Sequence, residues 1–333
     1  MDALPRALAH GGLISVIIPI YNEQAVLPQL VQRLLPIMQH VAHPFELILV
    51  DDGSTDQSRA MLIQYAQQYA SIKAVLLSRN FGKEAALTAG LHHCSGDAVI
   101  VLDADLQDPP ELIPSMVKAW REGAEVVRMT RRSRAGESGF KRLSAYVYYR
   151  LLSYLSDIAI PADTGDFRLM SRRAVDALLQ LPERQRYMKG LFAWVGFKTV
   201  ELRYDRDARA AGETKWGTWK LFSLAFEGIT SFSIKPLRLT TWLGLVVALT
   251  GLSYGAWIIA KTLFFGEMVA GYPSLISLIS VLGGFQLVAI GLVGEYVGKN
   301  YIESKGRPVF LVEQVVQQSQ SRAVSLEVLQ HAQ

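Results

Sequence analysis

Ala98-Val99-Ile100-Val101-Leu102-Asp103-Ala104-Asp105-Leu106-Gln107 sets a run of apolar residues directly against two carboxylates and an amide. A short apolar run rich in β-branched residues reads as a strand buried on both faces. The polar residues then fall just past its carboxyl end, where open α/β sheets bind ligands. The same design recurs along the chain. Candidate strands Leu13–Pro19, Phe45–Val50 and Ile72–Leu77 run into Tyr21-Asn22-Glu23, Asp51-Asp52-Gly53-Ser54 and Arg79-Asn80, with a further strand at Glu125–Thr130 and helical stretches between. This alternation predicts a mainly parallel α/β sheet. Farther on, Arg131–Arg150 reads as a basic, aromatic-rich loop and helix, Leu169–Leu181 as a helix and Lys198–Tyr204 as a strand.

With 333 residues, the chain is longer than the usual single domain. Half of it is hydrophobic, and the surplus lies after Arg238. Leu239–Ala260 and Tyr272–Gly294 contain no charged residue, and each matches the ~20 residues that cross a bilayer. Gly251, Gly255, Gly283, Gly284 and Gly291 would let two helices approach closely. Between Trp216 and Ile234 the apolar residues leave one more polar side, as in a helix lying on a membrane surface or packed on a core. The expected organisation is an α/β domain over 1–215, a juxtamembrane amphipathic helix over 216–237, a hairpin over 238–300 with spans at about 239–260 and 272–296, and a tail over 301–333 that is polar after Val312 and partly helical or disordered.

Lys235 and Arg238 precede the first span, and Lys299, Lys305 and Arg307 follow the second, whereas the connection carries Lys261 and Glu267 alone. The positive-inside rule places both termini in the cytoplasm, with the first domain on the cytoplasmic face of the inner membrane, and no export signal precedes that domain. The single cysteine, Cys94, excludes an intramolecular disulfide and reads as a core thiol, with no Cys/His cluster for zinc. The net charge is +4. Basic residues gather in 128–150, in 168–209 and at the membrane borders, which suits phosphate or anionic lipid; no nucleic-acid-reading motif is present.

Asp103, Asp105 and Gln107 offer hard oxygen ligands of the kind that bind Mg²⁺ or Mn²⁺ together with substrate phosphates. An Asp-x-Asp also occurs in turns, so its place after a strand matters. Ser15-Val16-Ile17-Ile18-Pro19-Ile20-Tyr21-Asn22-Glu23, then Val50-Asp51-Asp52-Gly53-Ser54-Thr55-Asp56, then Asp103-Ala104-Asp105-Leu106-Gln107-Asp108-Pro109-Pro110 together resemble the family-2 glycosyltransferases of the GT-A fold. Within that family the chain is similar to the polyprenyl-phosphate branch of bactoprenol glucosyltransferases and dolichyl-phosphate mannose synthases. The similarity runs from about Leu13 through Pro308 and includes Arg79–Glu84, Gly165–Met170, Ala211–Lys215 and the hairpin.

The resemblance implies a Rossmann-like GT-A domain carrying a C-terminal two-helix transmembrane hairpin. It implies that Pro19, Tyr21, Glu23, Asp51, Asp52, Arg79, Lys83 and Asp103 serve the nucleotide sugar, and that Asp103, Asp105 and Gln107 hold the metal. Arg131, Arg142, Ser144, Arg209 and Lys215 fall where relatives contact the acceptor phosphate; a solvated basic face is the alternative for Arg142 and Ser144. Asp166 is the position most like the base of bacterial relatives, with Asp163 also available; because a phosphate monoester is largely a dianion at neutral pH, orientation of the acceptor is the alternative role for Asp166. The implied reaction is inverting transfer of one sugar, UDP-glucose being the favoured donor, to undecaprenyl phosphate, and the implied assembly is a homo-oligomer, plausibly a tetramer. GDP-mannose, UDP-GlcNAc or a UDP-aminoarabinose derivative are the alternative donors. Rival readings are a chain-extending polysaccharide synthase, for which two spans are too few to build a pore, and a non-catalytic glycolipid-handling partner. A dinucleotide oxidoreductase is disfavoured, since no G-x-G-x-x-G follows the first strand.

Overall fold

The computed structural model describes residues 12–41, 44–131, 164–184, 186–204, 233, 235–265 and 271–318. Strands β1 (Ile14–Ile20), β2 (Phe45–Asp51), β3 (Ile72–Leu77) and β4 (Ala98–Val101) alternate with helices α1 (Leu27–His40), α2 (Ser58–Gln68) and α3 (Lys83–His93). They are followed by α4 (Ile113–Arg121), β5 (Val126–Arg131), β6 (Thr164–Ser171), α5 (Arg172–Leu179), α6 (Met188–Trp194) and β7 (Thr199–Tyr204). Two long helices, α7 (Lys235–Phe265) and α8 (Tyr272–Ser304), precede a last strand, β8 (Val312–Gln317).

The strands form one sheet in the order β7-β5-β6-β4-β1-β2-β3-β8. Pairings β1/β2, β1/β4, β2/β3 and β5/β7 are parallel, and β4/β6, β5/β6 and β3/β8 are antiparallel. Successive strand residues point to opposite faces, so β1 divides between two cores. Ile14, Val16, Ile18 and Ile20 pack with α1, α2 and α4, while Ile17 packs with α3, α5 and α6 on the other face. This is why the strands read as continuous apolar runs. The chain leaves β1 for β2 on one side and meets β4 on the other, which creates a switch point between the carboxyl ends of β1 and β4.

Two segments differ from their sequence reading. Leu169 and Met170, read as the start of a helix, belong to β6; the helix begins only after Ser171, whose side chain accepts a hydrogen bond from the Ala174 amide at 3.2 Å as its N-cap. The polar tail after Val312 contains β8, which lies antiparallel on the β3 edge with Val75 opposite Val315. Helix α7 already includes Lys235–Leu237; of the rest of the expected amphipathic helix only Ser233 is described, and it lies outside any helix. Both apolar helices outrun the expected spans. The 31 residues of α7 rise roughly 46 Å, more than the ~30 Å hydrocarbon layer. Large residues such as Trp242, Leu252, Phe264 and Leu287 are exposed along them, and α7 and Val281–Ser304 of α8 are long and apolar enough to cross a membrane.

Gly90, inside α3, tests the packing between this helix and β1. A Cβ there would lie 2.3 Å from Cγ2 of the fully buried Ile17, a β-branched side chain with little rotamer freedom. Helix propensity favours alanine over glycine by ~1 kcal/mol, whereas overpacking costs about 1–3 kcal/mol. Gly90→Ala is therefore expected to lower the thermal midpoint of the purified protein; a rise would mean that the helix shifts freely.

Candidate active site

The carboxyl ends of β1, β2 and β4 are stitched into one rim. Asn22, at φ 55°, turns the chain out of β1; its amide donates to Ser54 Oγ at 3.1 Å and its side-chain oxygen accepts from the Thr55 amide at 2.8 Å. The Glu23 amide donates to Ser58 Oγ at 2.9 Å. Tyr21 is left 45% exposed beside Pro19, an aromatic face open at the rim. Asp51 is fully buried; one oxygen accepts from the Ser54 amide at 3.1 Å and the other has no partner.

Asp52 uses both oxygens on the loop before α3, accepting from the Phe81 amide at 2.8 Å and the Gly82 amide at 3.0 Å. Burial is the main influence on its carboxyl and pushes the pKa up against those two bonds. Gly53, at φ +67°, brings the β2 and β3 loops together: a Cβ there would lie 2.4 Å from the carbonyl carbon of Arg79 and from the amide nitrogen of Asn80. Arg79 stays exposed, its guanidinium 4.0 Å from the Phe81 ring centre.

Lys83, the first residue of α3, projects into the centre of this arrangement. Its ammonium lies 2.7 and 2.9 Å from the two oxygens of Asp103 and 2.5 Å from Oδ2 of Asp166. The topology explains the meeting. In the antiparallel β4/β6 pair Val101 faces Arg168, and continuing that register by two residues sets Asp103 opposite Asp166. Burial opposes charge on Lys83, but the two carboxylates outweigh it and hold its pKa above the ordinary lysine range. Burial likewise opposes charge on Asp166; Lys83, Lys189 and Arg168 overcome it and keep the carboxyl below its usual range. Its Oδ1 has no hydrogen-bond partner.

Past β4 the side chains alternate: Asp103, Asp105 and Gln107 are partly open, while Ala104, Leu106 and Asp108 are buried. Leu106 at φ 56° makes the turn, an uncommon conformation for a bulky residue and one that clusters at functional sites. Asp105 Oδ1 accepts from the Gln107 amide at 3.2 Å. The loop is fixed from below by a short hydrogen bond from the Tyr204 hydroxyl to Asp108. Among the described residues no group of three His, Cys, Asp or Glu gathers. Two carboxylates and an amide nevertheless fit Mg²⁺ or Mn²⁺, which keep positions for phosphate oxygens and water, and the ammonium drawn onto Asp103 shows that this pocket holds positive charge.

Of the other candidate residues, Arg131 closes β5, while Asp163, Arg142, Ser144, Arg209 and Lys215 lie outside the described residues. Three charged neighbours of the site were not singled out from sequence. Arg168 is buried, donates to the Gly165 carbonyl at 2.8 Å and lies 3.7 Å from the Phe192 ring centre; burial lowers its pKa to about 10. Lys189, on α6, acts electrostatically on Asp166 and Glu84. Glu84 accepts a hydrogen bond from the Met188 amide, and burial, reinforced by Asp166, raises its pKa to about 8. A charge inside a quoted motif was the only available signal for Glu84 and Arg168; Lys189 had none.

A GT-A sheet with paired carboxylates at its switch point and an apolar helical hairpin defines the class, and the comparisons give the family. Glycosyl transferase family 2 matches residues 15–179, and the GtrB C-terminal hairpin matches residues 235–299. A glycosyltransferase of Synechocystis is 49% identical over 90% of this chain and 94% of its own length. A prophage bactoprenol glucosyl transferase homolog of Escherichia coli K12 is 43% identical over 91% of this chain and 99% of its own. The bactoprenol glucosyl transferase of Shigella phage SfV is 44% identical over 90% and 98%. Crystalline glucosyl-3-phosphoglycerate synthase of Mycobacterium tuberculosis, with Mn²⁺, UDP and glucosyl-3-phosphoglycerate, matches with a TM-score of 0.49 at 24% identity, over 67% of this chain and 79% of that one. The chain belongs to the family-2 glycosyltransferases, of the bactoprenol glucosyltransferase type.

Glu84 gives the site a pH signature. A carboxyl whose pKa is raised on folding contributes stability that is complete below its unfolded value of 4.5 and is lost as pH rises through about 8. Glu84→Gln removes that loss. Between pH 5 and 8 the thermal midpoint of the variant is expected to gain steadily on that of the parent; parallel curves would place the Glu84 carboxyl in ordinary solvent.

Proposed function

We propose that the protein transfers one glucosyl unit from UDP-glucose to undecaprenyl phosphate at the cytoplasmic membrane face, with inversion at the anomeric carbon. The observation that carries this reading is the meeting of Asp103 and Asp166 around Lys83 at the switch point, on a chain whose hairpin offers apolar helices long enough to reach a lipid. The names of the bactoprenol relatives, matched over nearly their whole length, support the acceptor and the sugar.

On this reading Tyr21 lies against the base and the buried free oxygen of Asp51 accepts from the nucleoside, with Pro19, Glu23 and Arg79 completing that wall. Asp103, Asp105 and Gln107 would hold Mg²⁺ or Mn²⁺, which would supply positive charge against that developing on the departing diphosphate. Lys83 adds a second positive charge at the same place. The acceptor needs little help to react: a phosphate monoester with a second pKa near ~6 is largely a dianion at neutral pH. Asp166, held ionised by Lys83, Lys189 and Arg168, is a poor proton acceptor. Its role is to orient the acceptor and the sugar. Those three cations also offset the repulsion that a carboxylate and a phosphate dianion would otherwise feel.

Membrane topology follows the charges. Lys235 and Arg238 begin α7, and Lys299 lies near the end of α8. The Tyr296 hydroxyl donates to the Ser233 carbonyl at 2.5 Å, so the start of α7 and the end of α8 meet on one side. That side joins the catalytic domain and is cytoplasmic by the positive-inside rule.

Purified full-length protein with UDP-glucose, Mg²⁺ and undecaprenyl phosphate is expected to release UDP in step with a one-sugar lipid product. Asp105→Asn is expected to lower kcat by about 10²–10³-fold, the loss of several kcal/mol of charge stabilisation, with the thermal midpoint retained. Parental turnover by that variant would remove the carboxylate from metal binding.

A further inference from the structure

The second apolar helix does not end in a free linker. At its last turn the Glu303 carboxylate accepts the Arg184 backbone amide with both oxygens, at 2.9 and 3.1 Å. The Arg184 guanidinium returns the contact, donating from Nη1 to the Glu303 carbonyl at 3.2 Å and from Nε to the Arg307 carbonyl at 2.8 Å. Gly306, at φ +67°, lets the chain turn back beneath this clasp. Phe310 and Val312 then pack into the core that contains α3 and α6, and the Ser78 amide donates to the Leu311 carbonyl at 3.0 Å.

The clasped segment is the one that leads into α6. Arg186 ties it down locally, donating to the Leu181 carbonyl at 2.7 Å and the Glu183 carbonyl at 3.1 Å. Helix α6 then meets the Asp166 site twice. Its first amide, on Met188, donates to the Glu84 carboxylate, and Phe192 lies under the Arg168 guanidinium at 3.7 Å. Lys189 on the same helix acts on Asp166. A short helix, seven residues long, thus bridges the end of a membrane-type helix and the reacting centre.

We propose that Glu303 is a positioning residue for sugar transfer: through Arg184 it sets α6, and through Phe192 and Arg168 it sets the strand that carries Asp166. The seat of α8 thereby becomes part of the catalytic geometry, and a small misplacement there is costly because a shift of about 1 Å at the reacting groups can lower the rate by about 10²-fold. The kinetic consequence rests on the glucosyl-transfer reading above; the structural coupling does not.

The test uses full-length protein in lipid vesicles, with Glu303→Ala, Glu303→Gln and Arg184→Ala. Glu303→Ala is expected to lower kcat toward the lipid phosphate by about 10- to 100-fold, with UDP affinity and the KM for UDP-glucose unchanged. Glu303→Gln, whose amide oxygen still accepts from Arg184, is expected to restore most of the rate. Arg184→Ala, which keeps the backbone bond and loses the guanidinium contacts, is expected to show a smaller loss in the same direction and serves if Glu303→Ala does not fold. Hydrogen exchange is read on the same samples without substrate: amides 188–194 are expected to exchange faster in Glu303→Ala. Parental kcat in Glu303→Ala overturns the proposal, as does a parallel loss of UDP binding, which marks general damage. If the parent turns over no glucosyl donor, the functional reading fails, and the exchange of amides 188–194 alone decides the clasp, with unchanged exchange overturning it.

Discussion

The site depends on one cation between two carboxylates. Asp103 and Asp166 reach the same place because β6 runs antiparallel to β4, and with part of their water removed two like charges there repel strongly. Lys83 resolves the conflict, and removing one partner from such a cluster leaves the others uncompensated. Its own position is locally unfavourable, since a cation at the first residue of a helix opposes the helix dipole. Local rules tend to be broken where function requires it. The placement is enforced from below: Gly53 allows the β2 loop to touch the β3 loop, Asp52 binds the Phe81 and Gly82 amides, and Gly82 at φ 97° turns the chain into α3 with Lys83 in reach of Asp103 and Asp166.

The parallel half of the sheet was legible because its strands are buried on both faces and so read as uninterrupted apolar runs with polar residues after them. Leu13–Pro19, Phe45–Val50, Ile72–Leu77 and Ala98–Leu102 differ from β1 to β4 by a residue or less at either end. β6 and β8, which run antiparallel to every neighbour they pair with, were not legible. Leu169 and Met170 favour helices intrinsically, and the apolar residues Ala174, Val175 and Leu178 continue them into a real helix; only the pairing with β4 on one side and β5 on the other makes them strand. β8 carries Glu313 and Gln314 side by side and pairs across most of the chain's length, so no local periodicity marks it. For the site, the residues at strand ends were readable one by one, whereas the charge balance around Asp166 was not. Lys83 leads that balance, and Lys189 and Arg168, whose approach follows from the β6 register and the packing of α6, complete it.

The hairpin reads differently once β8 is seen. In sequence it follows a catalytic domain and an amphipathic stretch and precedes a polar tail. In the fold it is an insertion between two strands of one sheet, since β7 precedes it and β8 returns to the β3 edge. Only Lys305–Leu311 separate α8 from that strand, and at ~3.3–3.6 Å per residue they span little more than 20 Å when extended. A domain so attached has few orientations available relative to α8. For a lipid whose phosphate is confined to the interface, that restriction matters more than tethering alone. Tethering raises the chance that acceptor and site meet, but orientation decides whether a meeting is productive, and the gain from fixed geometry is the larger part of what holding two reactants together can supply. The long helix therefore contributes to the chemistry through the rigidity of its junction with the sheet as well as through its affinity for hydrocarbon.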